Sequence, residues 1–153
     1  MLYRALLRPL LYLLPAETAH HLAFGGLRRF AALPGAKALL RALFVREDAV
    51  LRTEALGLVF PTPFGLAAGF DKNAEGIEAL GALGFGFLEV GTLTGQGQVG
   101  NPKPRLFRLP KDEALVNRLG FNNRGSADAV PRLARPRSTV VGVNIGKSKV
   151  VPE

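Results

Sequence analysis

The sequence contains no cysteine and no tryptophan, and its two histidines are adjacent, at His20 and His21. Disulfides, thiolate nucleophiles and Cys-rich metal centres are therefore excluded. A histidine-based zinc centre lacks the ligands it needs, and a Ser-His-Asp triad has little to draw on. Acidic residues are scarce as well: 12 Asp and Glu stand against 20 Lys and Arg, for a formal charge of +8. Long apolar runs are missing. Residues 1–14, MLYRALLRPLLYLL, are interrupted by Arg4 and Arg8 and fall short of the ~20 apolar residues that span a bilayer. Any chemistry must rest on Lys, Asn, Ser, Asp, backbone groups or a cofactor.

What is present suits a folded domain. The 153 residues are 48% hydrophobic, enough for a packed core and too apolar for a disordered chain. The positive charge raises nucleic acid as a partner. The basic residues are scattered from Arg4 to Lys149, with no basic stripe interleaved with exposed aromatics, so nucleic-acid binding is not expected. Anionic ligands or an anionic membrane surface account for the charge equally well.

Residues 1–45 read as a helical annex. Pro15-Ala16-Glu17 opens a helix, with proline in its first turn and an acid at its positive end. Its expected apolar stripe is Ala19, Leu22, Ala23, Leu27 and Phe30. Pro34-Gly35 breaks it, and Lys37 to Phe44 predicts a short third helix. These faces are edged by arginines and suit either a membrane interface or packing on the rest of the fold.

Residues 46–153 read as the second part, and from about residue 56 the texture is short apolar runs bounded by Gly and Pro. Strands are predicted at 56–60, 64–68, 87–90, 106–109 and 139–145. Helices are predicted at 75–83, capped by Asp71 or Asn73, and at 125–133. This βαβαβ order predicts an α/β fold with a parallel sheet. No helix follows to cover the last strand before Val150 to Glu153, which suggests a piece of something larger.

Two glycine motifs are weak. Gly95 to Gly100 matches G-x-G-x-x-G after a strand, but Pro102 and Pro104 forbid the helix a dinucleotide turn requires. Gly142 to Ser148 contains G-K-S with one residue too few for a phosphate loop. Three other segments carry polar groups just past strand ends, where parallel α/β folds build sites. They are Ala67 to Asn73, Glu89 to Thr92, and Asn144 to Lys147. Small Ala and Gly residues there admit a flat ligand. Lys72 offers a cation, and Thr92 and Asn144 offer neutral hydrogen bonds. A fourth segment, Asn117 to Asn123, is rich in amides that can read a polar heterocycle.

Taken in order, GLAAGFDKN (65–73), NPKPRLFRL (101–109), NRLGFNN (117–123) and VNIGKSK (143–149) resemble the quinone-dependent (class 2) dihydroorotate dehydrogenases. So do Pro15 to His20 and Gly84 to Thr92. The resemblance implies the N-terminal portion, about three βα units, of a (β/α)8 TIM barrel preceded by the helical annex. It implies FMN as cofactor, held by Ala68, Gly69, Phe70, Asp71, Lys72, Thr92 and Asn144. Dihydroorotate or orotate would meet Lys72, Asn117, Arg118, Leu119, Gly120 and Phe121. The annex would form the quinone entrance, at the cytoplasmic face of the membrane. A complete barrel takes about 250 residues, so the catalytic serine is expected outside this sequence, and none of Ser126, Ser138 and Ser148 is assigned that role. The non-catalytic alternative is a half-barrel that self-associates or needs a partner chain.

Overall fold

A computed structural model describes residues 3–149. The expectation for Val150 to Glu153 lies outside the described residues.

A π-helical turn, Tyr3–Leu7, leads into helix α1 (Arg8–Tyr12). Helix α2 (Ala16–Ala31) starts on Pro15, whose φ of −51° and extended ψ suit a helix entrance, and carries Glu17 in its first turn and Arg28 and Arg29 in its last. These charges complement the helix dipole. Gly35, at φ 76°, turns the chain into α3 (Ala36–Phe44).

The buried face of α2 differs from the expected stripe. Glu17, Ala19, Phe24 and Ala31 are buried, whereas Leu22 and Phe30 are exposed. Phe24 sets the rotation, because its ring enters the core beside Ile77 and Leu80. A second cluster of Ala31, Leu40, Ala79 and Ala82 seats α3 against the same core. The annex is thus packed onto the fold through one face. Leu6, Leu10, Leu13, Leu39 and Leu43 remain exposed.

The segment expected as one strand at 56–60 is a hairpin. Strands β1 (Thr53–Ala55) and β2 (Leu58–Phe60) pair antiparallel around Leu56-Gly57. Both turn residues have positive φ, 54° and 72°, as a two-residue hairpin loop requires.

The central sheet is β3 (Gly65–Leu66), β4 (Phe87–Thr94) and β7 (Val140–Gly146), parallel and adjacent in that order. Gly65 pairs with Phe87, and Phe87 with Val140. Helix α4 (Ile77–Gly81) lies between β3 and β4, and α5 (Ser126–Leu133) between β4 and β7. Both helices are shorter than predicted. This is the α/β arrangement of a barrel segment: successive parallel strands, each step crossing through a helix. Leu88, Val90 and Leu93 of β4 join Phe24, Ile77, Leu80 and Ala129 in the main core. One face of β4 is buried and the other half-buried, so it reads in the sequence as a largely apolar run.

An antiparallel excursion, β5 (Leu106–Leu109) and β6 (Ala114–Asn117), is inserted after β4. Strand β6 was not predicted, and it places Asn117 opposite Leu106 at the end of a ladder rather than in a free loop.

Candidate active site

The C-terminal ends of β3, β4 and β7 converge. Past β3 the chain bends at Gly69, whose φ is 103°. Its N–H donates to the Gly91 carbonyl at 2.7 Å, and the Gly91 N–H donates to the Asp71 carbonyl at 3.0 Å. A Cβ on Gly91 would lie 2.5 Å from the Asn144 carbonyl oxygen. Only glycine permits that approach between β4 and β7.

Polar side chains close the same edge. Thr92 Oγ1 donates to Asn144 Oδ1 at 2.6 Å, and Asn144 Nδ2 donates to Glu89 Oε1 at 3.0 Å. Glu89 Oε2 accepts the Ala68 N–H at 3.4 Å. Three strand ends are therefore joined through four residues. Glu89 was not chosen as a site residue. The available signal was a lone carboxylate inside an otherwise apolar strand.

Asp71 is only 2% exposed. Its carboxylate accepts N–H groups of Asn73 (3.3 Å), Glu75 (2.9 Å) and Gly76 (2.7 Å). The expected capping role is real but longer in reach: the helix starts after Gly76, and Asp71 organises the whole turn before it. That turn presents Lys72, whose Nζ donates to the Gly69 carbonyl at 2.8 Å. Burial pushes the Lys72 pKa down, opposed by Glu17 and reinforced by Arg105. A half-buried ammonium so placed gains from an arriving anion or electron-rich ring.

Helix α2 supplies the adjoining wall. His20 meets the Phe70 ring edge-on at 4.7 Å and stacks on Phe24 at 5.9 Å. Burial, then the charges of Lys72 and His21, lower its pKa, which favours a neutral imidazole.

The 117–121 loop is fixed mainly from behind. Asn101 Nδ2 donates to the Arg118 carbonyl at 2.7 Å, and Gln98 Nε2 to the Gly120 carbonyl at 3.0 Å. The Arg118 guanidinium donates to the Pro104 carbonyl at 3.1 and 3.3 Å. Asn117 Oδ1 accepts the Leu119 N–H at 3.3 Å, and Phe121 is exposed at φ 52°. Asn123 joins the loop to the end of β4 through Thr94. The loop makes no hydrogen bond to Lys72 among the described residues. The glycine motif at 95–100 serves this packing: a Cβ on Gly100 would lie 2.2 Å from the Leu119 carbonyl oxygen.

Residues 50–152 match the family model described as Dihydroorotate dehydrogenase. The chain belongs to the dihydroorotate dehydrogenase family. Among curated relatives, the protein of Thermobifida fusca named dihydroorotate dehydrogenase (quinone) is 53% identical over 100% of this chain and 42% of its own length. The namesake in Mycobacteroides abscessus is 55% identical over 99% of this chain and 43% of its own. Among solved structures, DHODH of Eimeria tenella in complex with ferulenol superposes with a TM-score of 0.67 at 44% identity. That match covers 77% of this chain and 36% of the other. The chain therefore spans less than half the length of the dehydrogenases it matches, and the fold is part of their barrel.

Proposed function

We propose that this chain forms the N-terminal part of an FMN-dependent dihydroorotate dehydrogenase that oxidises dihydroorotate to orotate and passes the electrons to a membrane quinone, in pyrimidine (UMP) biosynthesis. The observation that carries the reading is the hydrogen-bonded junction of Glu89, Thr92 and Asn144 beside Lys72, in a chain of this family. The edge fits a flavin: Gly69, where an added Cβ would meet nothing within 4 Å, leaves backbone open to a flat ring, and Lys72, Thr92 and Asn144 offer polar contacts.

When bound, FMN supplies the hydride acceptor. The chain's own residues bind and orient. Lys72 Nζ, which donates to the Gly69 carbonyl here, would hold the ring and the substrate carboxylate. Thr92 and Asn144 would hold the ring, and the small Ala68 and Gly69 would let it approach. Phe70 would border the ring on the side toward α2, where it packs against His20 and Phe24. Asn117 to Phe121 would hold the pyrimidine through those of their amide and backbone groups that Gln98, Asn101 and Pro104 leave unengaged. The proton-abstracting serine is assigned outside this sequence.

The test is a chimera. This chain replaces the corresponding 42% of the Thermobifida fusca protein, and dihydroorotate-dependent quinone reduction is measured. Turnover is expected, and Lys72→Ala should lower kcat/KM by about tenfold or more, since a hydrogen bond to a charged group contributes ~1.5–3 kcal/mol. A folded chimera that oxidises no dihydroorotate contradicts the reading.

The annex supports a peripheral place at the cytoplasmic membrane face. Leu6, Leu10, Leu13, Leu39 and Leu43 are exposed near Arg4, Arg8 and Arg41, the composition of an interfacial surface. No helix of the described residues is long and apolar enough to cross a membrane. The chain should cosediment with phosphatidylglycerol vesicles, and Leu10→Ser/Leu13→Ser should release most of it; undiminished binding counts against the assignment. Ile145 of β7 is 81% exposed, an apolar side chain at an open sheet edge. This favours, as a second reading for the isolated chain, self-association or a partner chain, which a concentration series of sedimentation velocity resolves.

A further inference from the structure

We propose that the open cavity bordered by α2, α3, α4, α5 and the loop after α5 binds a small polyphosphate anion. It measures about 580 Å3, within the ~300–1,000 Å3 of small-molecule sites. Arg28, Arg29 and Lys37 line one side, and Arg132, Arg135 and Arg137 the other. Only two carboxylates, Glu75 and Glu78, line it, so its walls carry four net positive charges.

The carboxylates are already engaged. Arg28 Nη1 and Arg124 Nη2 hold Glu75 at 3.1 and 2.6 Å, and Lys37 Nζ lies 3.5 Å from Glu78. Arg132 is held by Asp128 and by the Asn73 carbonyl. Arg29, Arg135 and Arg137 have no ion pair among the described residues. Arg137 folds back so that its Nε donates to the Arg135 carbonyl at 3.3 Å, which holds these two residues together around Pro136.

Three guanidinium groups without carboxylates, one from α2 and two from the loop after α5, face one concavity and repel each other. An anion bearing two or more phosphoryl groups relieves that repulsion and matches the guanidinium fork. The floor is small and apolar, formed by Ala31, Ile77 and Ala79, which leaves room for an organic substituent. None of the residues placed around the flavin lines this cavity. The two sites share one element, since Asp71 holds the N–H groups of Glu75 and Gly76 in the cavity wall.

Calorimetric titration of the full chain with pyrophosphate tests this, with inorganic phosphate and phosphatidylglycerol vesicles as parallel titrants. Saturable 1:1 pyrophosphate binding is expected, stronger than that of phosphate. It should weaken at least tenfold in Arg29→Ala/Arg135→Ala/Arg137→Ala. It should hold within twofold in the charge-matched Arg46→Ala/Arg52→Ala/Lys111→Ala. All six positions are exposed, and circular dichroism confirms folding. Absence of saturable binding overturns the proposal, as does equal affinity for phosphate or an equal loss in both triple variants. So does binding to vesicles alone, which would make the surface a lipid-headgroup contact.

Discussion

Arg105→Ala should remove about 3 kcal/mol of stability, the low end of the ~3–5 kcal/mol cost of breaking a buried ion pair, because Lys103 and His21 still lie 3.8 and 3.7 Å from Glu17. Arg105 is 7% exposed and Glu17 9%. The guanidinium donates to both carboxylate oxygens, at 3.1 and 2.6 Å. Its Nη1 also donates to the carbonyls of Val99 and Asn101, at 2.6 and 3.0 Å. One side chain thus ties the first turn of α2 to the loop before β5, across 88 positions of sequence. Whole domains are stable by only about 5–15 kcal/mol, so the loss should be plain in urea denaturation followed by circular dichroism. Arg105→Lys should recover only part of it, because an ammonium cannot reproduce the two-pronged contact. A loss under 1 kcal/mol would contradict this account.

The same pair sets a pH dependence. Hydrogen bonding to Arg105, first among several causes, holds the Glu17 carboxyl below its usual range against the opposing effect of burial. A carboxyl with a lowered folded pKa stabilises the fold above its unfolded pKa, about 4.3. That stability is lost as pH falls through the lower folded value. The difference between wild type and Glu17→Gln should therefore be full at neutral pH and shrink in acid. A difference constant from pH 7 to pH 2 would exclude ionisation of Glu17 as its source.

Asp71→Ala should be the other severe substitution. Three N–H groups lose their acceptor at once, and a buried unsatisfied donor costs about 1–3 kcal/mol. The Gly76 bond is itself buried. A total loss of about 3 kcal/mol or more is expected by the same denaturation experiment. Lys72 follows Asp71 directly, so flavin affinity should fall with it. A variant of wild-type stability would show that the turn is held by other contacts.

The parts of the fold that were legible are those where burial and pattern coincide. Strand β4 stands out as a largely apolar run that is buried on one face and half-buried on the other, and α2 because Pro15 and Glu17 mark its start and Pro34-Gly35 its end. The orientation of α2 was not legible: Phe24 is drawn inward by contacts with residues far along the chain. Strand β6 was hidden because all its residues are exposed and it follows the charged Lys111-Asp112-Glu113 turn. The β1–β2 hairpin was hidden by Leu56, a bulky residue at positive φ.

The site divides in the same way. Small residues followed by polar ones mark the ends of β3, β4 and β7 in the sequence itself. What ties those ends together was not visible there, because the bonds from Glu89 to Asn144 and to Ala68 span 55 and 21 positions. Nor could the sequence show that Asn101 and Pro104 engage the carbonyl and the guanidinium of Arg118.

The most direct test of the account is a visible absorption spectrum of the purified chain after incubation with FMN and removal of excess, with an intact mass on the same sample. The account predicts a flavin band carried by the 16.4 kDa chain and diminished in Lys72→Ala and in Asn144→Ala. A folded chain of that mass that retains no flavin, or retains it equally in both variants, would contradict the claim that its strand ends form the flavin-binding face.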